Sequence, residues 1–166
     1  MSQSYILPSE LEKLLLNPSE QSSFLVIDVR SSDFVGGNIP NALNLTTDKF
    51  SDSSKIERVI EKYVSPKVEK EGLKLIIVHC MRSQTRGPYV AHLLSQSPAL
   101  PKGVQVRILK GGFQGWYRLY KGRKEMFENL EGEEGSQDWE DVVEADEGDK
   151  EEAEDSRQLR KKLGRE

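Results

Sequence analysis

The stretch VHCMRSQTRGP, residues 78–88, sets a cysteine, Cys80, ahead of an arginine, Arg86, with five residues between them. Cys80 is the single cysteine of a 166-residue chain. A thiolate is a strong nucleophile. A guanidinium offers a planar fork of donors that fits two oxygens of a tetrahedral anion. The intervening Met81, Arg82, Ser83, Gln84 and Thr85 can turn their backbone N–H groups, with that of Arg86, toward a shared centre. The same positive field is expected to keep the thiol ionised. Such a site suits phosphoryl transfer, where attack at phosphorus needs in-line positioning and neutralised equatorial oxygens. It also suits arsenate, which has nearly the same shape and charge. The bland alternative is a cysteine that serves only as a small buried hydrophobe.

The surrounding elements are those such a loop needs. LKLIIV at 73–78 is the strongest strand signal in the chain, and GPYVAHLLSQS after the loop reads as a helix with Pro88 near its start, where a missing N–H costs least. The end of a parallel strand feeding a helix is where open α/β sheets bind ligands, and helix N-termini attract anions. FLVIDV at 24–29 and VQVRIL at 104–109 read as further strands, and LNL at 43–45 as a short one. PSELEKLLLN opens a helix in which Ser9 and Glu12 have capping-box spacing. SSKIERVIEKYV repeats Ile56, Val59, Ile60 and Tyr63 at helical spacing, and FQGWYRLYKG closes the pattern as a last short helix. GGNIPNA at 36–42 is turn-rich, and Gly111–Gly112 suit a tight turn near the loop. Alternating strands and helices predict an α/β fold, a parallel sheet flanked by helices on both faces.

Charge divides the chain. Residues 1–127 carry 18 Lys and Arg against 12 Asp and Glu, whereas residues 128–155 carry one against 15. The expected organisation is a catalytic domain over 1–127 and a disordered tail over 128–166, acidic and then basic, because the tail has too little apolar sequence to offset chain entropy. RQLRKKLGRE is expected to form at most a transient basic helix. The imbalance suggests that the acidic tail screens the basic body. One cysteine excludes an internal disulfide framework and a multi-cysteine zinc site, so no metal is expected. With no basic-then-apolar leader and no apolar run of about 18 residues, a soluble cytoplasmic or nuclear protein is expected, with no membrane or nucleic-acid partner.

IDVRSSDFVGGNIPNALNL, IIVHCMRSQTRGPYVAHLL and VRILKGGFQGWY resemble the rhodanese-fold domain in three separated places and in its order, over roughly residues 5–122. The landmarks are Asp28 and Arg30, Gly37 to Ala42, and Gly111 to Trp116. His79-Cys80 followed by Arg86-Gly87-Pro88 resembles one branch, the M-phase inducer phosphatases with the yeast-type arsenate reductases and short fungal phosphatases. Sulfurtransferases of this fold have one residue fewer between cysteine and arginine. The resemblance therefore implies a wider cradle, and a cysteinyl-phosphate or cysteinyl-arsenate intermediate at Cys80. Met81 stands where the M-phase inducers carry an acidic residue, and Arg82 adds a positive charge that donates protons poorly.

Three functions follow as expectations. The first is a cysteine-dependent tyrosine or dual-specificity protein phosphatase acting on phosphoproteins. The second is an arsenate reductase, needing no bound cofactor but taking glutathione and glutaredoxin as co-substrates. The third is a non-catalytic rhodanese-like binding module, which the presence of both Cys80 and Arg86 argues against. Among supporting residues, Asp28 is expected to pair with a basic group under the site, Arg30 to be its companion, and His79 to hold the loop's shape. Ser83 and Thr85 are candidate hydroxyl donors to the anion. His92 is expected at the surface, and Phe113 and Trp116 in the core.

Overall fold

The structure, a computed structural model, describes residues 4–130; the expected acidic and basic tail beyond lies outside the described residues. Five parallel strands form one sheet in the order β1-β5-β4-β2-β3. They are β1 (Tyr5–Ile6), β2 (Phe24–Asp28), β3 (Leu43–Asn44), β4 (Leu75–His79) and β5 (Gln105–Leu109). The central β4 pairs with β2 from Leu75 opposite Phe24 to His79 opposite Asp28, and with β5 on its other side. Each sequence-predicted strand is present within two residues of its expected bounds. The two-residue β1 carries no periodic signal of its own and exists by pairing Tyr5 and Ile6 with Ile108 and Leu109.

The central strands are apolar throughout because both sheet faces are covered. On one face, Val26, Ile77 and Leu109 pack with Leu11 of α1 (Pro8–Leu16) and with Phe113, Trp116, Tyr117 and Tyr120 of α5 (Gly112–Tyr120). On the other, Ile27, Ile76, Val78 and Ile108 pack against α2 (Ser53–Val59), its continuation, and α4 (Arg86–Gln96). Phe113 and Trp116 are fully buried core residues, and His92 lies half-buried on α4.

Two helices depart from the expected pattern. Pro8 opens α1, and the Glu10 carboxylate accepts the Leu7 N–H at 2.9 Å. Ser9 therefore lies inside the helix rather than capping it. Glu12 reaches across the domain instead, accepting from Tyr120 Oη at 2.9 Å and from Arg123 Nη1 at 3.0 Å. The rod begun at Asp52, whose carboxylate caps Lys55 N at 2.8 Å, does not stop at Val64. It passes through a π-turn, Ile60–Val64, into α3 (Ser65–Glu71), because Pro66 falls in the first turn of α3, where its missing N–H is tolerated. Gly72, at φ +74°, ends it.

Beyond α5 the chain returns as a strap. Asn38 and Glu128 exchange two backbone hydrogen bonds, at 2.9 and 2.8 Å, and Leu130 packs over Gly37. The packed body reaches Leu130, three residues past the expected domain end at 127. Among the described residues, no helix is long and apolar enough to cross a membrane.

Leu11 is fully buried and joins α1 to the α5 face. Leu11→Ala is expected to lower unfolding free energy by roughly 2–5 kcal/mol, read from the midpoint of urea denaturation.

Candidate functional site

Cys80 immediately follows β4, at the carboxyl end of the central strand, and is fully buried. The loop 81–85 runs from it to the first turn of α4, which opens at Arg86. Gly87 N–H points back at Cys80 Sγ, 3.3 Å away. A Cβ on Gly87 would stand 3.4 Å from that sulfur and 3.3 Å from Cys80 N, a tight fit that glycine relieves where the helix start seats over the thiol.

The loop's carbonyls are held away from the sulfur by α5. Phe113 N–H donates to Cys80 O at 3.0 Å, and Gln114 N–H to Met81 O at 2.9 Å. Two orphan donors of one helix N-terminus are thereby satisfied by the loop. The close approach requires Gly112, at φ +60°, where a Cβ would sit 2.6 Å from both carbonyl oxygens. The Gly111–Gly112 signal in the sequence is therefore a contact requirement as well as a turn.

The loop side chains separate. Met81 is fully buried among the α5 aromatics, so it contributes backbone to the loop and its side chain to the core. A carboxylate in its place would meet an apolar cluster. Gln84 faces solvent, and Arg82 and Thr85 are half-buried. Ser83 adopts φ +57°, a left-handed conformation uncommon for a residue with a Cβ. Its buried hydroxyl has no hydrogen-bond partner among the described residues.

Arg86 is fully buried, and its terminal fork is occupied. Nη1 meets Asp33 Oδ1 at 3.1 Å, Nη2 meets Asp33 Oδ2 at 2.6 Å, and Nη1 also reaches Ser31 Oγ at 3.3 Å. Asp33 holds the Nη1–Nη2 end of the guanidinium, and Nε lies on its other, outer edge. Sequence reasoning missed Asp33 and Ser31. The available signal was their place in the turn after β2, since ligand sites collect at the carboxyl ends of several strands.

That turn is itself held by Arg30. Its Nε lies 3.0 Å from both Asp28 oxygens, and Nη2 lies 2.8 Å from Oδ2. Nη2 also donates to Gly37 O at 2.9 Å, and Nη1 to Asp33 O at 3.3 Å. The guanidinium lies between the rings of Phe34 and Phe113, at 4.9 and 4.2 Å. Burial would raise the Asp28 pKa. The Arg30 charge, with His79 and the Arg30 hydrogen bonds, outweighs it and holds the carboxyl below its ordinary 3.8. Asp28 therefore remains an ionised support beneath the site.

His79 is fully buried, with Nδ1 3.0 Å from Cys80 O and Nε2 3.7 Å from Asp28 Oδ2. A carbonyl only accepts, so Nδ1 carries the proton. Burial is the main reason that the His79 pKa lies below its ordinary 6.5, against the attraction of Asp28. The imidazole is thus neutral at pH 7. Among the described residues, no group of three or more His, Cys, Asp or Glu side chains is placed to hold a metal ion.

Fold and site together define a class: an α/β domain whose central strand ends in a cysteine enclosed by an amide loop and a helix start. The profile of the rhodanese-like domain matches residues 7–119, and the chain belongs to that family. It is 32% identical over 143 residues to the dual specificity phosphatase ibp1 of Schizosaccharomyces pombe, covering 75% of this chain and 96% of that protein. The solved structure of Ygr203w, described as a yeast protein tyrosine phosphatase of the rhodanese family, superposes with a TM-score of 0.67 at 26% identity, over 79% of this chain and 95% of the other. The As-Sb reductase of Leishmania major superposes at 0.65 with 29% identity, over 88% and 99%.

Two outcomes follow from this geometry. Asp33→Ala removes the carboxylate paired with the buried Arg86 charge and is expected to cost about 3–5 kcal/mol in urea unfolding; Asp33→Ala/Arg86→Met recovers most of it. The folded-state pKa of His79 lies below its unfolded value, so the unfolded chain binds that proton first. Its contribution is complete above pH 6.5 and declines as pH falls below that value, with a slope of up to about 1.4 kcal/mol per pH unit. Asp28 acts in a lower window, below 3.8. His79→Gln is therefore expected to flatten the loss of unfolding free energy between pH 7.5 and 5.5, while leaving the loss below pH 4 in place.

Proposed function

We propose that this protein is a cysteine-dependent protein phosphatase, of tyrosine or dual specificity, working through a cysteinyl-phosphate at Cys80. The observation that carries the reading is the enclosure of Cys80 Sγ by the 81–86 loop and Gly87 N–H, with the carbonyls of Cys80 and Met81 tied outward to α5. A tetrahedral oxyanion above the sulfur would meet the loop amides, the Ser83 hydroxyl and the outer edge of Arg86. The orphaned Ser83 hydroxyl gains its missing acceptor from such a ligand. The similarity to ibp1 over nearly its full length supports the same chemistry.

In the first step Cys80 thiolate attacks phosphorus in line, forming the S–P bond as the bond to the tyrosine or serine oxygen breaks. The leaving oxygen takes a proton. Asp28 is committed to Arg30 and Asp33 to Arg86, so neither is placed as a free acid. The proton of a monoanionic phosphate ester, or a water, serves instead. In the second step water attacks phosphorus, inorganic phosphate leaves and the thiolate returns. No bound cofactor enters either step. Asp28, Arg30 and His79 act beneath the site by holding the turn and the loop.

The likeness to the Leishmania reductase favours arsenate reduction as a second reading. Here Cys80 attacks arsenate and expels water. The two electrons that take arsenic from As(V) to As(III) come from thiols, so glutathione and glutaredoxin must supply what a chain with one cysteine cannot.

Full-length protein and its Cys80→Ser form are assayed on an aryl phosphate, and then on arsenate with glutathione, glutaredoxin and a reduced-nicotinamide readout. Aryl phosphate turnover that falls at least about a thousandfold in Cys80→Ser is the expected result. Cys80-dependent nicotinamide oxidation driven by arsenate, without phosphatase turnover, replaces the first reading with the second. Inactivity in both, with no slowing of Cys80 alkylation by phosphate, arsenate or tungstate, removes both.

A further inference from the structure

A second concave feature lies away from the cysteine loop, between the 3-10 turn Thr47–Phe50 and the rod formed by α2 and its π-turn. It is a groove of about 290 Å³. Leu45, Val59 and Tyr63 supply apolar floor, and Lys49, Lys55, Arg58 and Lys62 supply the rim. All four cations are exposed. Lys55 reaches the Asp48 carbonyl at 3.5 Å, and Lys62 stands over the Tyr63 ring at 5.2 Å. Among the described residues, no carboxylate makes an ion pair with any of the four, whereas Arg30, Lys67 and Arg86 are each paired and Arg123 is paired twice. One carboxylate, Asp48, lines the groove, and it is engaged by the Thr46 hydroxyl. Four like charges around an apolar floor call for an anionic ligand that also carries apolar side chains.

The chain contains such a segment. Residues 131–155 carry 14 Asp and Glu against one lysine. Within them DWEDVVEAD sets Trp139, Val142 and Val143 among carboxylates, the only tryptophan or valine side chains of that stretch. Chain geometry allows the match. Leu130 packs on Gly37, and the chain from Gly37 passes through β3 to Leu45, a wall of the groove. That path of eight residues spans at most about 28 Å, and the eight residues 131–138 before Trp139 can extend about as far. Tethering at this length raises the effective concentration to the order of millimolar, so even weak docking is populated.

We infer that the acidic segment 131–155 docks within its own chain in this groove, with carboxylates on Lys49, Lys55, Arg58 and Lys62 and Trp139 over the Leu45–Val59–Tyr63 floor. Docking there places the screening suggested by the charge imbalance on the α2 groove rather than over Cys80. It does not rest on the catalytic reading, and failure of either leaves the other standing. Its electrostatic part weakens with salt, since the rim is exposed.

The test uses the full-length protein. Carbodiimide cross-linking joins carboxylates to lysines that touch them, and peptide mapping of monomeric product locates each link. At 20 mM NaCl, links from 131–155 are expected to concentrate on Lys49, Lys55 and Lys62 and to fall at least fivefold in 0.5 M NaCl. Lys55→Ala/Arg58→Ala is expected to reduce links to Lys49 and Lys62 by a similar factor without changing Tm by more than a few degrees. With 5-fluorotryptophan incorporated, the Trp139 fluorine signal shifts between wild type and that variant, while the signal of buried Trp116 stays in place. Links spread evenly over Lys13, Lys74, Lys102 and Lys110 overturn the proposal. So do links found only in dimers, which assign the groove to a second copy, and so does their absence, which leaves it to a separate acidic partner. A Trp139 signal indifferent to the variant removes the floor contact.

Discussion

The burial of one guanidinium governs how the site is assembled. Arg30 sits at zero exposure, and leaving its N–H groups without acceptors there would be severely destabilising. Its partners are the Asp28 carboxylate and the carbonyls of Asp33 and Gly37. Meeting that requirement wraps the 31–37 turn around the guanidinium. The wrapping in turn brings the Asp33 side chain to Arg86, 53 residues away in sequence. Asp28 thus acts at a distance from any substrate: it holds Arg30, Arg30 holds the turn, and the turn holds Arg86.

A second constraint comes from the opposite side. The carbonyls of Cys80 and Met81 are drawn away by α5, whose N-terminal Phe113 and Gln114 N–H groups donate to them. The loop gives the helix acceptors for orphan donors, and the helix gives the loop its orientation. Gly112 marks a place where two backbones come closer than a Cβ permits, and Gly87 one where a Cβ would crowd the Cys80 backbone. His79 adds a second donor to the Cys80 carbonyl, beside Phe113 N–H. Backbone polarity around the thiol is therefore set by two helices and one imidazole, rather than by the loop sequence alone.

Asp33 neutralises Arg86 and shares it with Ser31. A buried arginine needs such a counter-charge. It keeps the guanidinium in one orientation, clamped at both terminal nitrogens.

Periodicity and short spacing carried much of this protein. Apolar runs defined the central strands, helical spacing defined α4 and α5, and Cys80 with Arg86 at the end of the strongest strand marked the site. These are local properties, set by side-chain alternation and by loops of a few residues. What remained hidden was non-local. β1 exists only because β5 offers it an edge, the 53–71 rod runs on because a proline is tolerated in the first turn of α3, and Asp33 meets Arg86 only after the crossover between β2 and β4 is complete. A single sequence shows which residues prefer strand, helix or turn. Which carboxylate a buried arginine selects depends on the packing of the sheet and both helical layers, and only the tertiary structure decided that.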